Sequence, residues 1–323
     1  MHEPTYDEVL LSGYTAGYES GYTDGQEECR DYSREYFTIE ALEDGVLNVR
    51  KACYYSINDA EWVNISRTPF TIELHEGDKV RFKDNGRPMK NNAFENNTIR
   101  FVAYGNIESM EYGDDFIGRT IIINNSEFVS FFHDCTGLTS VENLILPAMT
   151  LKERCYEGMF NGCSSLTSSP ILPATTMANS CYYGMFNYCT SLTTAPVLPA
   201  TTLAQNCYAS MFWGCTSLVT APALPATTLA QNCYTSMFDS CTNLTTAPEF
   251  PATTLAPYCY SGMFYGCTNI NYIKCLATDI SASGCLNLWL SGVSPTGTFV
   301  KAAGVSWPTG NSGIPSGWTI IEE

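Results

Sequence analysis

The chain has 323 residues, 16 basic and 33 acidic, for a formal charge of −17, which argues against nucleic acid or an anionic membrane surface as partner. That length allows two domains, or a repeat array with a smaller unit beside it. No apolar run approaches the ~18 residues that cross a bilayer, so no membrane insertion is expected, and the start, Met1 to Glu8, lacks the basic then apolar pattern of a signal peptide.

The acidic excess lies mainly at the N-terminal end, where residues 1 to 45 hold 12 Asp/Glu against Arg30 and Arg34. Here Gly13-Tyr14, Gly17-Tyr18 and Gly21-Tyr22 keep a four-residue beat. In a helix the glycines would form one stripe and the tyrosines the next. Each glycine costs about 1 kcal/mol in a helix, so close packing against another helix would have to offset them. Residues 1–35 are expected to form an N-terminal helix for oligomerisation or docking through Gly13, Tyr14, Gly17, Tyr18, Gly21 and Tyr22. The plain alternative is a flexible acidic leader.

From 36 to 104 the pattern shortens to strands. Tyr36–Ile39, Val46–Val49, Tyr54–Ile57, Phe70–Leu74, Val80–Phe82 and Ile99–Val102 are rich in branched and aromatic residues, and Asp44-Gly45, Glu76-Gly77-Asp78 and Asn85-Gly86 suit turns. A small all-β sandwich domain is predicted. Trp62 could touch a sugar, although an aromatic residue among short strands is more often core.

Residues 105–275 carry a repeat. After irregular first coils, Phe128 to Cys135 is a worn copy of a phrase, Cys-Tyr-x-x-Met-Phe-x-x-Cys, that then recurs from Cys155, Cys181, Cys207, Cys233 and Cys259 without insertion. So short a unit cannot bury its own apolar face, so copies must stack. The prediction is a mixed α/β repeat solenoid, leucine-rich-repeat-like, with one parallel β-strand per coil. Leu192 to Leu198 would be the strand, Pro-Ala-Thr-Thr the corner, and the cysteine phrase a short helix or 3-10 turn with Cys, Met and Phe inward at roughly helical spacing. The varying positions, among them Tyr183, Ala209, Asn187, Trp213, Asp239 and Tyr265, would face solvent, as would Thr193, Val219, Thr245 and Glu249 on the strand side.

Fifteen cysteines would ordinarily suggest a disulfide framework. Ten of them occupy two repeat positions, which favours reduced thiols packed as small hydrophobes over disulfides or metal. Cys-x7-Cys without a nearby His lacks zinc spacing, so neither metal nor cofactor is expected. Residues 276–323, with Trp289, Trp307 and Trp318, are expected to form a Trp-rich C-terminal cap.

The phrase Met-Phe-x-Gly-Cys-Thr-Ser-Leu at Met211 to Leu218, followed by a strand ending in Leu-Pro, resembles the BspA-type leucine-rich repeat of surface proteins from Bacteroides and other gut and oral bacteria. That repeat usually has Ala where this chain has Met, and a shorter period, so coil shape would differ. The resemblance covers about residues 105 to 275, and the tail from Trp307 to Trp318 looks like endings on such proteins. The whole layout resembles proteins encoded by Bacteroides and their phages. Such membership implies adhesion or recognition of host or matrix proteins and no catalytic residue.

Two functions follow as expectations. The first is a non-catalytic adhesion protein at the bacterial cell surface or outside the cell, which binds a protein or glycan through Tyr183, Asn187, Trp213, Asp239, Tyr265, Thr193, Thr245 and Glu249; for any one of these, drift at a solvated position is the plain alternative. The second is a structural or receptor-binding part of a phage virion, such as a phage tail, assembled through the N-terminal segment. An enzyme ranks last, because His2, His75 and His133 sit in no acid/base or nucleophile arrangement and Asp114-Asp115 reads as a solvated loop.

Overall fold

The computed structural model describes residues 31–88 and 91–323. The helix predicted for the leader, with Gly13 to Tyr22, lies outside the described residues; Tyr32–Arg34 forms a single 3-10 turn, capped by the Asp31 side chain on the Ser33 N–H.

Branched and aromatic residues form β1 (Thr38–Ala41), β2 (Gly45–Val49), β3 (Tyr54–Ile57), β4 (Val63–Asn64), β5 (Phe70–Leu74), β6 (Lys79–Lys83) and β7 (Phe101–Asn106). The order β4-β3-β6-β1-β7 is antiparallel throughout, and β2 pairs separately with β5. Alternation puts Leu47, Val49, Ile72 and Leu74 inside, while Val46 faces out, as a half-buried sheet requires. The predicted sandwich is not closed off at residue 104. Strand β7 also pairs in parallel with β8 (Leu138–Ser140) and β9 (Leu144–Ile145), and one apolar cluster runs from Phe37 to Trp318. Gly105 in β7 has φ +80°, and a Cβ there would lie 2.2 Å from the Tyr36 carbonyl oxygen, so only glycine permits this crossing.

The predicted mixed α/β solenoid, with a parallel strand and a helix in each coil, is contradicted. Regular structure among the described residues is almost wholly strand, the sheets lie before and after the repeats, and the one α-helix is α1 (Ser109–Tyr112). The repeats themselves are turns. Proline explains the missing strand: Pro196, like Pro170, Pro222 and Pro248, removes a donor from inside each predicted strand, and Pro199, Pro173, Pro225 and Pro251 remove another just after it, so no ladder can continue there. Isolated bridges such as Thr150 to Thr176, Thr202 to Thr228 and Thr220 to Thr246 are what form instead.

The cysteine phrase is a ribbon of consecutive four-residue turns. The N–H groups of Cys155, Glu157, Met159, Asn161 and Cys163 donate to the carbonyl three residues back, whereas those of Tyr156, Gly158, Phe160 and Gly162 donate at 2.8 to 3.0 Å to Cys181, Tyr183, Met185 and Asn187 in the next repeat. Every fourth residue has positive φ: Arg154, Gly158 and Gly162, then Ser180, Gly184 and Tyr188, then Asn206, Ser210 and Gly214. A residue in this left-handed region cannot sit inside an α-helix. Turns of four place Cys155, Met159 and Cys163 on one face much as a 3.6-residue helix would, which is why spacing alone misassigned the element.

Stacking in this register builds aromatic columns. Phe128, Tyr156, Tyr182, Tyr208, Tyr234 and Tyr260 stack at centroid separations of 5.7 to 6.1 Å, and Phe132, Phe160, Phe186, Phe212, Phe238 and Phe264 at 5.4 to 5.7 Å. The first column continues through Trp289 and Trp307, stacked at 6.1 and 5.8 Å. Trp289 Nε1 donates to the Gly313 carbonyl at 2.9 Å and Trp318 Nε1 to that of Ser294 at 2.8 Å. Alongside, β10 (Tyr272–Cys275), β11 (Thr298–Lys301) and β12 (Thr319–Glu322) form a parallel sheet.

Candidate recognition surface

A turn ribbon divides its residues two inward and two outward. The inward pairs, Cys-Tyr and Met-Phe, are buried in all five repeats. The second cysteine of each phrase is tied down as well: Cys163, Cys189, Cys215, Cys241 and Cys267 donate from Sγ at 2.9 to 3.1 Å to the carbonyls of Phe132, Phe160, Phe186, Phe212 and Phe238. All fourteen described cysteines are free and buried. Burial pushes the Cys181, Cys233 and Cys267 thiols up to about 12, so they are not thiolates poised for attack. Among the described residues no group of His, Cys, Asp and Glu is arranged to hold a metal ion.

The outward pairs are where side chains vary. Tyr183 and Tyr265 are 42% and 45% exposed, and Asn187, Trp213 and Asp239 are half-buried. Ala209 corrects the expectation that every outward position meets solvent, because it is 3% exposed. Thr193, Thr245 and Glu249 are exposed on the proline-containing segment; the Thr245 N–H and hydroxyl both donate to the Val219 carbonyl and link adjacent repeats. Only part of the predicted set is gathered in one place, around Trp213.

The residue that gathers it is Tyr188, which the sequence reading passed over. Its N–H donates to the Trp213 carbonyl at 2.7 Å, and the two rings lie 5.7 Å apart at 35°. Tyr188 occupies a left-handed position, φ +56°, where the first, third and fifth repeats carry Gly162, Gly214 and Gly266. Its ring leans over the next repeat, so that a Cβ on Gly214 would meet it at 2.7 Å. Asn187, beside it, has a buried Oδ1 without a hydrogen-bond partner among the described residues. A tyrosine at a glycine position of an internal repeat was the available signal.

Two other clusters stand near the start of the array. Trp62 is covered: Lys83 Nζ lies 4.4 Å and the Arg81 guanidinium 5.5 Å from its ring centre, and Tyr36 packs edge-on at 5.1 Å. Asp114, read as a solvated loop residue, is bound by Lys83 at 2.8 Å and by the Tyr36 hydroxyl; those bonds, from Lys83 first, hold its carboxyl below the usual range. Glu108, Glu111 and Glu127 converge where α1 meets the first turns. Glu108 is 0% exposed with neither carboxylate oxygen bonded among the described residues. Burial, reinforced by Glu127 and Glu111, pushes Glu108 up to about 8, and burial beside Glu127 does the same to Glu111. Glu111 and Glu127, with Asp84, Arg87, Asn91 and Asn124, line an open cleft of about 570 Å³.

No family model matches the chain, and comparison with curated proteins and with solved structures likewise gives no match.

Proposed function

We propose that this chain is a non-catalytic recognition protein that lays an extended protein or glycan ligand along the outward face of its turn repeats. The carrying observation is the division within each repeat: Cys, Tyr, Met and Phe recur and are buried, whereas the outward positions change from copy to copy and hold Tyr183, Tyr188, Trp213 and Tyr265. Aromatic side chains on an open face supply contact area at small entropic cost. Support for a non-catalytic role comes from the nucleophiles and bases. The thiols are buried and protonated, His75 is 86% exposed beside Asp44, and His133 sits beside its neighbour Asp134. Display at a bacterial surface, or on a virion through residues 13–22, fits the phrase from Met211 to Leu218 and the layout around it.

The test is an array of glycans and extracellular matrix proteins probed with the full chain and with a Tyr183→Ala/Trp213→Ala/Tyr265→Ala variant. We expect at least one ligand to be captured, and at least tenfold weaker by the variant. Equal binding by both proteins, or capture of nothing, would overturn the proposal.

A further inference from the structure

We propose that Tyr183, Asn187, Tyr188 and Trp213 form a carbohydrate site that takes the apolar face of a pyranose ring in a neutral glycan. This rests on the recognition reading above and names the ligand class.

The first support is the residue type at a left-handed position. Every fourth residue of the ribbon has positive φ, so the conformation belongs to the repeat; what is particular to Tyr188 is a bulky ring where the first, third and fifth repeats carry glycine. The Tyr188 N–H is anchored to the Trp213 carbonyl, and Gly214 leaves the space that its ring fills. The ring stays at the surface, since Tyr188 remains 50% exposed and adds nothing to the buried columns.

The second is shape. Trp213 and Tyr188 meet at 35° with centroids 5.7 Å apart, and Tyr188 keeps half of its surface open to solvent. Tyr183, 42% exposed, extends the aromatic area within the same repeat. Protein anchors usually fill pockets, whereas the clefts at residues 114–119 and 84–127 lie elsewhere. Flat rings on an open face suit a sugar ring laid across them, with its C–H groups against the π-faces.

The third is polarity. Asn187 Oδ1 is buried without a partner among the described residues, and an unpaired acceptor calls for a donor, which a sugar hydroxyl supplies. Tyr183, Asn187, Tyr188 and Trp213 carry no charge, which favours a neutral saccharide over a phosphorylated or sulfated one. The repeat also sets a pitch of 5.4 to 6.1 Å along the array, close to the advance of one residue in an extended β-linked hexose chain.

The experiment titrates the full-length protein with hexasaccharides of β-1,4-linked glucose, mannose and N-acetylglucosamine, read by tryptophan fluorescence and by calorimetry. At least one should give a saturable signal. Trp213→Ala should abolish it, and Tyr188→Gly should weaken it at least tenfold while relieving strain and leaving the thermal midpoint unchanged or higher. Tyr188→Phe should bind within threefold of the parent. Saccharide binding that survives both Trp213→Ala and Tyr188→Gly overturns the assignment of the site. Capture of proteins but of none of these saccharides overturns the ligand class and leaves the recognition reading standing; capture of neither overturns both.

Discussion

The thiol of Cys215 donates at 3.1 Å to the carbonyl of Phe186, one repeat back and 29 residues away. That carbonyl already accepts the Cys189 N–H, so the thiol occupies its second lone pair. Alanine would lose both this weak bond and a tightly packed sulfur. Cys215→Ala should lower stability by about 1 to 2 kcal/mol, measured by urea denaturation. Because burial raises the Cys215 pKa, a thiol reagent such as DTNB should leave all fourteen described cysteines unmodified in the native protein and reach them only after unfolding.

Gly214 and Tyr188 should be coupled. Alanine at Gly214 would need φ +73° and would set its Cβ 2.7 Å from the Tyr188 ring. Gly214→Ala alone should cost about 1 to 3 kcal/mol. In the Tyr188→Gly background the ring is gone and only the backbone penalty remains, so a double-mutant cycle should return a coupling of roughly 1 kcal/mol. Additive costs would mean that the ring moves aside freely.

Glu108 makes stability depend on pH. Its carboxyl is lifted from 4.5 to about 8 in the folded chain by burial and by Glu127 and Glu111, so the folded state binds that proton more tightly than the unfolded one. The stabilisation is complete below about pH 4.5, declines as pH rises toward 8 and is absent above it. On the order of 2 to 4 kcal/mol is at stake. Melting curves from pH 5 to 9 should show falling midpoints, and Glu108→Gln should reduce the trend, with Glu111 carrying the remainder, and be more stable than the parent at pH 9. A Glu108→Gln protein with the parent's pH profile would show that another group carries the effect.

Much of the local structure could be read from residue types, and the long-range part could not. Segments such as Tyr54–Ile57 and Phe70–Leu74 become strands at the expected positions because they are rich in branched and aromatic residues, which alternate in Phe70–Leu74. The inward set of Cys, Met and Phe was also legible, since apolar identity repeats with the period. A helix and a turn ribbon place those residues alike; what separates them is where alternate N–H groups go, and those of Tyr156 and Phe160 go to another repeat. The missing strand is legible in Pro196, inside the predicted strand, and Pro199, just after it. Of the surface, Tyr183 and Trp213 lie at outward positions that vary between copies, whereas the sequence signal of Tyr188 is a tyrosine where three other repeats carry glycine. Glu108 is an ordinary acid in the sequence, and only the packing of α1 against the first turns makes it unusual.

The tyrosine column offers the last test. Tyr156 stacks on Phe128 at 5.7 Å and on Tyr182 at 5.8 Å, so its ring contributes as a phenylalanine would, while the hydroxyls of Tyr156 and Tyr182 are buried without a partner among the described residues. A buried unpaired hydroxyl costs about 1 to 3 kcal/mol, and its removal leaves only a small void. Tyr156→Phe should therefore raise stability by about 1 kcal/mol, whereas Tyr156→Leu, which breaks the stack, should lower it by about 2 to 3 kcal/mol. Chemical denaturation of both variants separates two explanations: a gain for Phe means that the ring holds the repeats together, and a loss of more than about 1 kcal/mol means that the hydroxyl is bonded to an internal water.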